Sequence, residues 1–189
     1  MSTQSKPFLT PEQYLEIERL AEFKSEYYRG EMFAMAGALE AHNLITLNVA
    51  SGLHQQLRSR PCRTYSNDMR INVSATGLYT YPDVVVVCGE PRFLDDRRDT
   101  LLNPTVIVEV LSESTEAYDR GRKFGLYRSL ESLAEYLLVG SQVVSTELFT
   151  RQPDGSWRMV ATSSLEDTLS LASIGCRLSL ADVYEKVEL

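Results

Sequence analysis

Two short runs of the chain, Tyr81-Pro-Asp-Val-Val-Val-Val-Cys88 and Thr105-Val-Ile-Val-Glu-Val-Leu111, consist almost wholly of β-branched apolar residues. Successive side chains on a strand point to opposite faces, so a run without polar alternation must be covered on both. That requirement calls for a central sheet with helices packed on it and excludes a sheet with one wet face. Each run nevertheless carries one carboxylate, Asp83 near the start of the first and Glu109 near the end of the second. An uncompensated charge inside an apolar sheet costs several kcal/mol, so the fold must supply each with a partner.

If the two strands run antiparallel, as the loop between them permits, the start of the first lies beside the end of the second and both carboxylates reach one rim of the sheet. Two such oxygen ligands, with a backbone carbonyl such as that of Val110 and several waters, suit the octahedral demand of Mg²⁺, with Mn²⁺ as an alternative. No lysine follows Glu109 on its strand, because Val110 and Leu111 come next. A substitute stands on the following predicted helix, where Asp119, Lys123 and Tyr127 fall at i, i+4 and i+8 and project together. A lysine there can orient an attacking water and offset phosphate charge, and Tyr127 can donate a hydrogen bond or simply pack in the core. An exposed i,i+4 ion pair is the bland account of Asp119 and Lys123; their position after Glu109 favours the catalytic one.

The remaining pattern is that of one domain spanning 1–189, an α/β (α+β) chain with an N-terminal helix and hairpin before a mixed sheet. Thr10-Pro11-Glu12 opens a helix predicted to end near Phe23, and 25–37 reads as a hairpin turning at Arg29-Gly30. A long helix over 40–58 carries Leu44, Leu47, Val49, Leu53 and Leu57 on its core face. Short strands are predicted at 62–66 and 69–73, a surface loop at 89–104, and a helix over 119–130 with Phe124, Leu126, Tyr127 and Leu130 inward. Strands at 135–139, 143–149 and 156–161 follow, the last two joined at Pro153-Asp-Gly155, before a closing helix at 180–187.

Composition narrows the function. With 189 residues, 43% hydrophobic and 24% charged, the chain is an ordinary globular one. No apolar run approaches the ~20 residues of a membrane span, and the polar opening Met-Ser-Thr-Gln-Ser-Lys lacks a signal core, so a cytoplasmic protein without membrane contact is expected. Cys62, Cys88 and Cys176 have no metal or redox spacing and are expected as buried reduced thiols. Only His42 and His54 are available, which disfavours a histidine-rich centre; His42, opening the long helix, reads as a cap or packing residue. A net charge of −7 argues against a nonspecific nucleic-acid coat. Three basic groups nonetheless flank the carboxylates in sequence: Arg58, Arg60, Arg63 and Arg70; Arg92, Arg97 and Arg98; Arg120, Arg122, Lys123 and Arg128. For any one group a solvated helix or loop face is the favoured account, and three groups around the same carboxylates strengthen the case for a role there.

Several of these motifs together resemble the Uma family of restriction-endonuclease-like proteins, in the PD-(D/E)XK nuclease superfamily. They are Tyr81-Pro82-Asp83-Val-Val-Val, Val108-Glu109-Val110-Leu111-Ser112-x-Ser114-Thr115, Asp119 with Lys123 and Tyr127, and Glu135-Tyr136 with Val139. Glu26 with Arg29-Gly30-Glu31, and His42-Asn43, resemble the family's first third, so the likeness runs from about 10 to 150. One departure is Gly140 after Val139, where the family commonly continues with Val-Asp. The resemblance implies a restriction-endonuclease-like fold, with Asp83 and Glu109 as metal ligands, Lys123 as a lysine relocated to the helix, and Glu31 or Glu26 as an additional acid. It further implies a Mg²⁺-dependent endonuclease acting on DNA. Two cuts in a duplex are most simply made by a homodimer. The alternative is a catalytically silent binding or scaffold module that retains the fold.

Overall fold

The computed structural model describes residues 8–189, so the polar opening segment lies outside the described residues. Helix α1, Pro11–Glu18, starts in a capping box: the Thr10 hydroxyl accepts from the Gln13 amide, and the Gln13 side chain accepts from the Thr10 amide. It stops at Glu18, well short of Phe23, which is 77% exposed. The reason is tertiary. Glu18 turns inward to accept from the Ser25 amide and the Tyr81 hydroxyl, both at 2.9 Å, which pulls the chain into the next strand.

Strands β1, Ser25–Tyr28, and β2, Glu31–Ala34, form the expected hairpin, with Arg29 and Gly30 both at positive φ as its tight turn requires. Helix α2, Glu40–Leu57, buries Ile45, Val49, Leu53 and Leu57. Leu47, expected on that face, is 60% exposed, because the buried stripe runs through 45, 49, 53 and 57 and leaves position 47 on the far side of the helix. Next come β3, Cys62–Ser66; β4, Arg70–Val73; β5, Leu78–Thr80; β6, Val84–Cys88; β7, Thr100–Leu101; and β8, Val106–Leu111. The segment 89–104 is thus not wholly a surface loop, since β7 pairs with β4. One helical stretch follows in three pieces: α3, Glu116–Tyr118; a π-helical turn, Asp119–Lys123; and α4, Phe124–Tyr127. The chain ends through β9, Glu135–Gly140; β10, Thr146–Arg151; β11, Trp157–Thr162; β12, Thr168–Leu171; β13, Cys176–Ser179; and α5, Leu180–Val183.

The six-stranded sheet has the order β11-β10-β9-β8-β6-β3, and β8 with β9 is its parallel pair. The sheet is therefore mixed. Val84, Val86, Val106, Val108 and Val110 pack on one face against α2 and the β12-β13 ribbon. Val85, Val87, Ile107 and Leu111 pack on the other against Tyr127, Leu130 and the inner residues Ile71, Val73, Leu78 and Leu101. The apolar runs are covered on both faces, as their composition demands. The cover differs from expectation on one side, where a second sheet of order β2-β1-β5-β4-β7 shares the work with the helical stretch.

Two of the three cysteines depart from the expected free thiols. Cys62 and Cys88 are register partners in the antiparallel β3–β6 pair and form a disulfide, leaving Cys176 as a buried free thiol. Sequence spacing hides this pairing, because strand register brings the sulfurs together. Among the described residues no helix is long and apolar enough to cross a membrane.

Candidate active site

Strands β6 and β8 are antiparallel, with Val84 opposite Val108. One step further along that register Asp83 stands opposite Glu109, and residues directly opposite one another share a face. That face looks toward the second sheet. The strand amide of Val110 donates to Asp83 Oδ2 at 2.7 Å, and His42 Nε2 lies 3.3 Å from the same oxygen. The hydroxyl of Tyr127, fully buried, donates to Glu109 Oε1 at 2.8 Å. Both carboxylates are therefore held in fixed orientations from one side.

Lys123 closes the group. Its Nζ lies 2.9 Å from Glu109 Oε1, 3.3 Å from Glu26 Oε1 and 3.3 Å from Asp119 Oδ1. Asp119 and Lys123 end the π-helical turn, a widened turn of the kind often found at functional sites. Glu26, from β1, also receives the Thr80 hydroxyl and, at 3.2 Å, that of Tyr118. Asp119 is buried and its Oδ1 has no hydrogen-bond donor besides the nearby ammonium.

The charges follow from this crowding. Burial pushes the Glu109 carboxyl up to about 8; Lys123 opposes the shift, while Asp119 and Asp83 add to it. Burial alone would lower Lys123, but Glu109 and the other anions around it hold its proton well above the ordinary range. His42 is likewise raised: burial works against its charge, and the hydrogen bond and charge of Asp83 outweigh it.

These groups floor a cleft of about 740 Å³. Asp83, Glu109, Lys123 and Tyr127 come together as expected, and Val110 borders the same cleft. Glu31 does not border it: it is exposed at the turn end of β2, and of the two candidate acids Glu26 is the one that meets Lys123. Sequence reasoning undervalued His42 and Asp119. The signal for Asp119 was its i,i+4 spacing to Lys123; for His42, only its place at the start of α2. The three arginine groups are also elsewhere, as no arginine borders the cleft. Arg70 is buried against Tyr81, Thr100 and Asp99; Arg120 pairs with Glu116 and Glu147; Arg58 and Arg63 border a separate hollow beside β3. Arginines close in sequence were drawn apart by the partners each acquired in the fold.

Among the described residues, Asp83 Oδ1 and Glu109 Oε2 have no protein partner. Two carboxylate oxygens on one rim, completed by water or a substrate phosphate, suit a hard cation such as Mg²⁺. No group of three or more His, Cys, Asp or Glu that could hold a metal ion is present among the described residues, so an ion here would rest on these two carboxylates and on oxygens from water or substrate.

A family model described as "Uma2: Putative restriction endonuclease" matches residues 11–181. Two proteins of Synechocystis sp. are similar to the chain. "Uncharacterized protein slr1290" is 38% identical over 180 residues, covering 94% of this chain and 92% of its own. "Uncharacterized protein sll1609" is 37% identical over 149 residues, covering 79% and 84%. A crystal structure from Anabaena variabilis, titled a putative nuclease belonging to DUF820, superposes with a TM-score of 0.75 at 15% identity, over 95% of this chain and 99% of that one. At that identity the likeness is one of fold.

Proposed function

Because the chain belongs to the Uma2 family of restriction-endonuclease-like proteins, we propose that it is a metal-dependent endonuclease that hydrolyses phosphodiester bonds of DNA at the Asp83–Glu109 rim. The observation that carries this reading is the facing pair of carboxylates with the Lys123 ammonium 2.9 Å from one of them. Asp83 and Glu109 would hold the ion, Mg²⁺ or in its place Mn²⁺, with the Val110 carbonyl as a further donor beside them. A divalent cation bound there supplies Lewis-acid activation of water and charge neutralisation at phosphorus. Lys123 orients the attacking water and meets negative charge as it grows on the phosphate. Tyr127 and His42 fix the two carboxylates, and Glu26, in preference to Glu31, joins Asp119 in holding the lysine.

Calorimetric titration with Mg²⁺ and Mn²⁺ tests the ligand assignment: wild type should bind, and Asp83→Ala should weaken binding by at least tenfold. In a cleavage assay on plasmid and oligonucleotide DNA, Lys123→Ala should lower the rate about a hundredfold or more. Absence of both metal binding and cleavage in the wild type would end the proposal. It would favour the second reading, a noncatalytic binding module, which one observation supports: Lys123 is already neutralised by three anions within 3.3 Å. Cutting both strands of a duplex would call for two copies about a two-fold axis, and sedimentation tests that homodimer directly.

A further inference from the structure

Resting on the nuclease reading, we infer that the cleft selects single-stranded nucleic acid, with an unpaired base stacked on Phe33 beside the catalytic floor. Phe33 is the register partner of Glu26 across the β1–β2 hairpin. Directly opposite residues share a face, so the ring stands on the same side as the carboxylate that reaches Lys123 at 3.3 Å. It is 42% exposed and borders the same cleft as Asp83 and Glu109. Met35 and Phe23, the latter 77% exposed, also border the cleft and add apolar surface to it. A nucleotide whose phosphate sits at the carboxylate rim of this cleft would turn its base, one sugar away, toward these apolar residues.

The charge of the cleft weighs more heavily against a duplex, which carries the denser array of phosphates. Among the described residues, six carboxylates, two lysines and no arginine border it. Lys24 is engaged by Asp68 at 3.0 Å and by the Asn67 carbonyl at 3.1 Å, and Lys123 by its three anions. Duplex binding relies on cations spread along two phosphate backbones, and among the described residues this lining holds more carboxylates than cations. Stacking on aromatic rings is the sequence-tolerant source of affinity that remains, and it is available to unpaired bases alone.

Fluorescence anisotropy with a labelled single-stranded oligonucleotide, its duplex and the corresponding single-stranded RNA, each with Mg²⁺ and on Lys123→Ala as well as wild type, tests this. The single strand is expected to bind at least tenfold more tightly than the duplex. Phe33→Ala and Phe33→Leu should each weaken it about tenfold, while Phe33→Trp keeps it. The leucine variant keeps apolar surface without a ring, and all three lie at an exposed position compatible with folding. Single-stranded RNA is expected to lose affinity in Phe33→Leu as single-stranded DNA does, and RNA binding indifferent to that variant would count against stacking on the ring. Duplex binding equal to or tighter than single-strand binding, or indifference to the leucine variant, overturns the inference while leaving the nuclease reading intact. A change of oligomeric mass in the Phe33 variants without loss of oligonucleotide binding also overturns it, since this apolar surface would then be covered by a second copy. Failure to bind or cut any nucleic acid removes the nuclease reading, and this inference with it.

Discussion

A buried ammonium persists only where anions surround it, and the converse holds for the anions. Lys123, 5% exposed, has Glu109, Asp119 and Glu26 within 3.3 Å. Lys123→Met should therefore destabilise the protein by about 3–5 kcal/mol, because it leaves carboxylates facing one another out of water. Urea denaturation measures this, and adding Glu109→Gln should recover part of the loss as a coupling between the two sites. A loss below about 1 kcal/mol would mean that water already screens the cluster. At this scale the sequence was informative about Asp83 and Glu109, since a charge within an apolar pattern is visible without coordinates, and about Lys123 through its spacing to Asp119 and Tyr127. It was silent about Glu26 as against Glu31, because both lie on one hairpin and only its packing decides which turns to the lysine.

Element boundaries reflect the same balance between local and distant partners. The Arg19 guanidinium, just past α1, binds Asp99 at 2.8 and 3.0 Å and Asp95 at 2.6 Å, tying the helix to the segment that enters β7. The Arg19 hydrogen bond, helped by Thr100 and Arg70, holds the Asp99 carboxyl down at about 2, below the ordinary 3.8. A depressed acid stabilises the fold above its unfolded value and loses that contribution as pH falls through its folded value. Asp99→Asn should thus be less stable than wild type by about 1 kcal/mol at neutral pH, a modest figure because the group is about a third exposed. The gap should close as pH falls from 3.8 toward about 2, and thermal melts across that range read it. A gap independent of pH would detach the effect from the ion pair. The long helix, the hairpin and the two apolar strands were legible from periodicity. The two-residue β7 and three-residue β5 were not, since strands so short carry no period and exist through the neighbours they pair with.

For the molecule as a whole, the Cys62–Cys88 disulfide joins edge strand β3 to β6 across a sequence separation of 26. Reduction, or Cys88→Ser, should lower stability by about 3 kcal/mol through the freedom returned to the unfolded chain. Paired urea curves with and without dithiothreitol measure the difference, and full alkylation of three thiols without reductant would show that the bond does not form. Disulfides are rare where glutathione keeps thiols reduced, so the crosslink and the cytoplasmic setting expected from the sequence pull in different directions. By itself the sequence determined a sheet apolar on both faces with one acid in each of two strands, because an unbroken β-branched run and a charge within it are local properties; that the strands are antiparallel, and so bring both acids to one rim, was decided by the fold. Only the tertiary structure decided what meets those acids. His42, Glu26 and the paired sulfurs come from distant parts of the chain, and their meeting depends on sheet stacking and strand register, which no local pattern encodes.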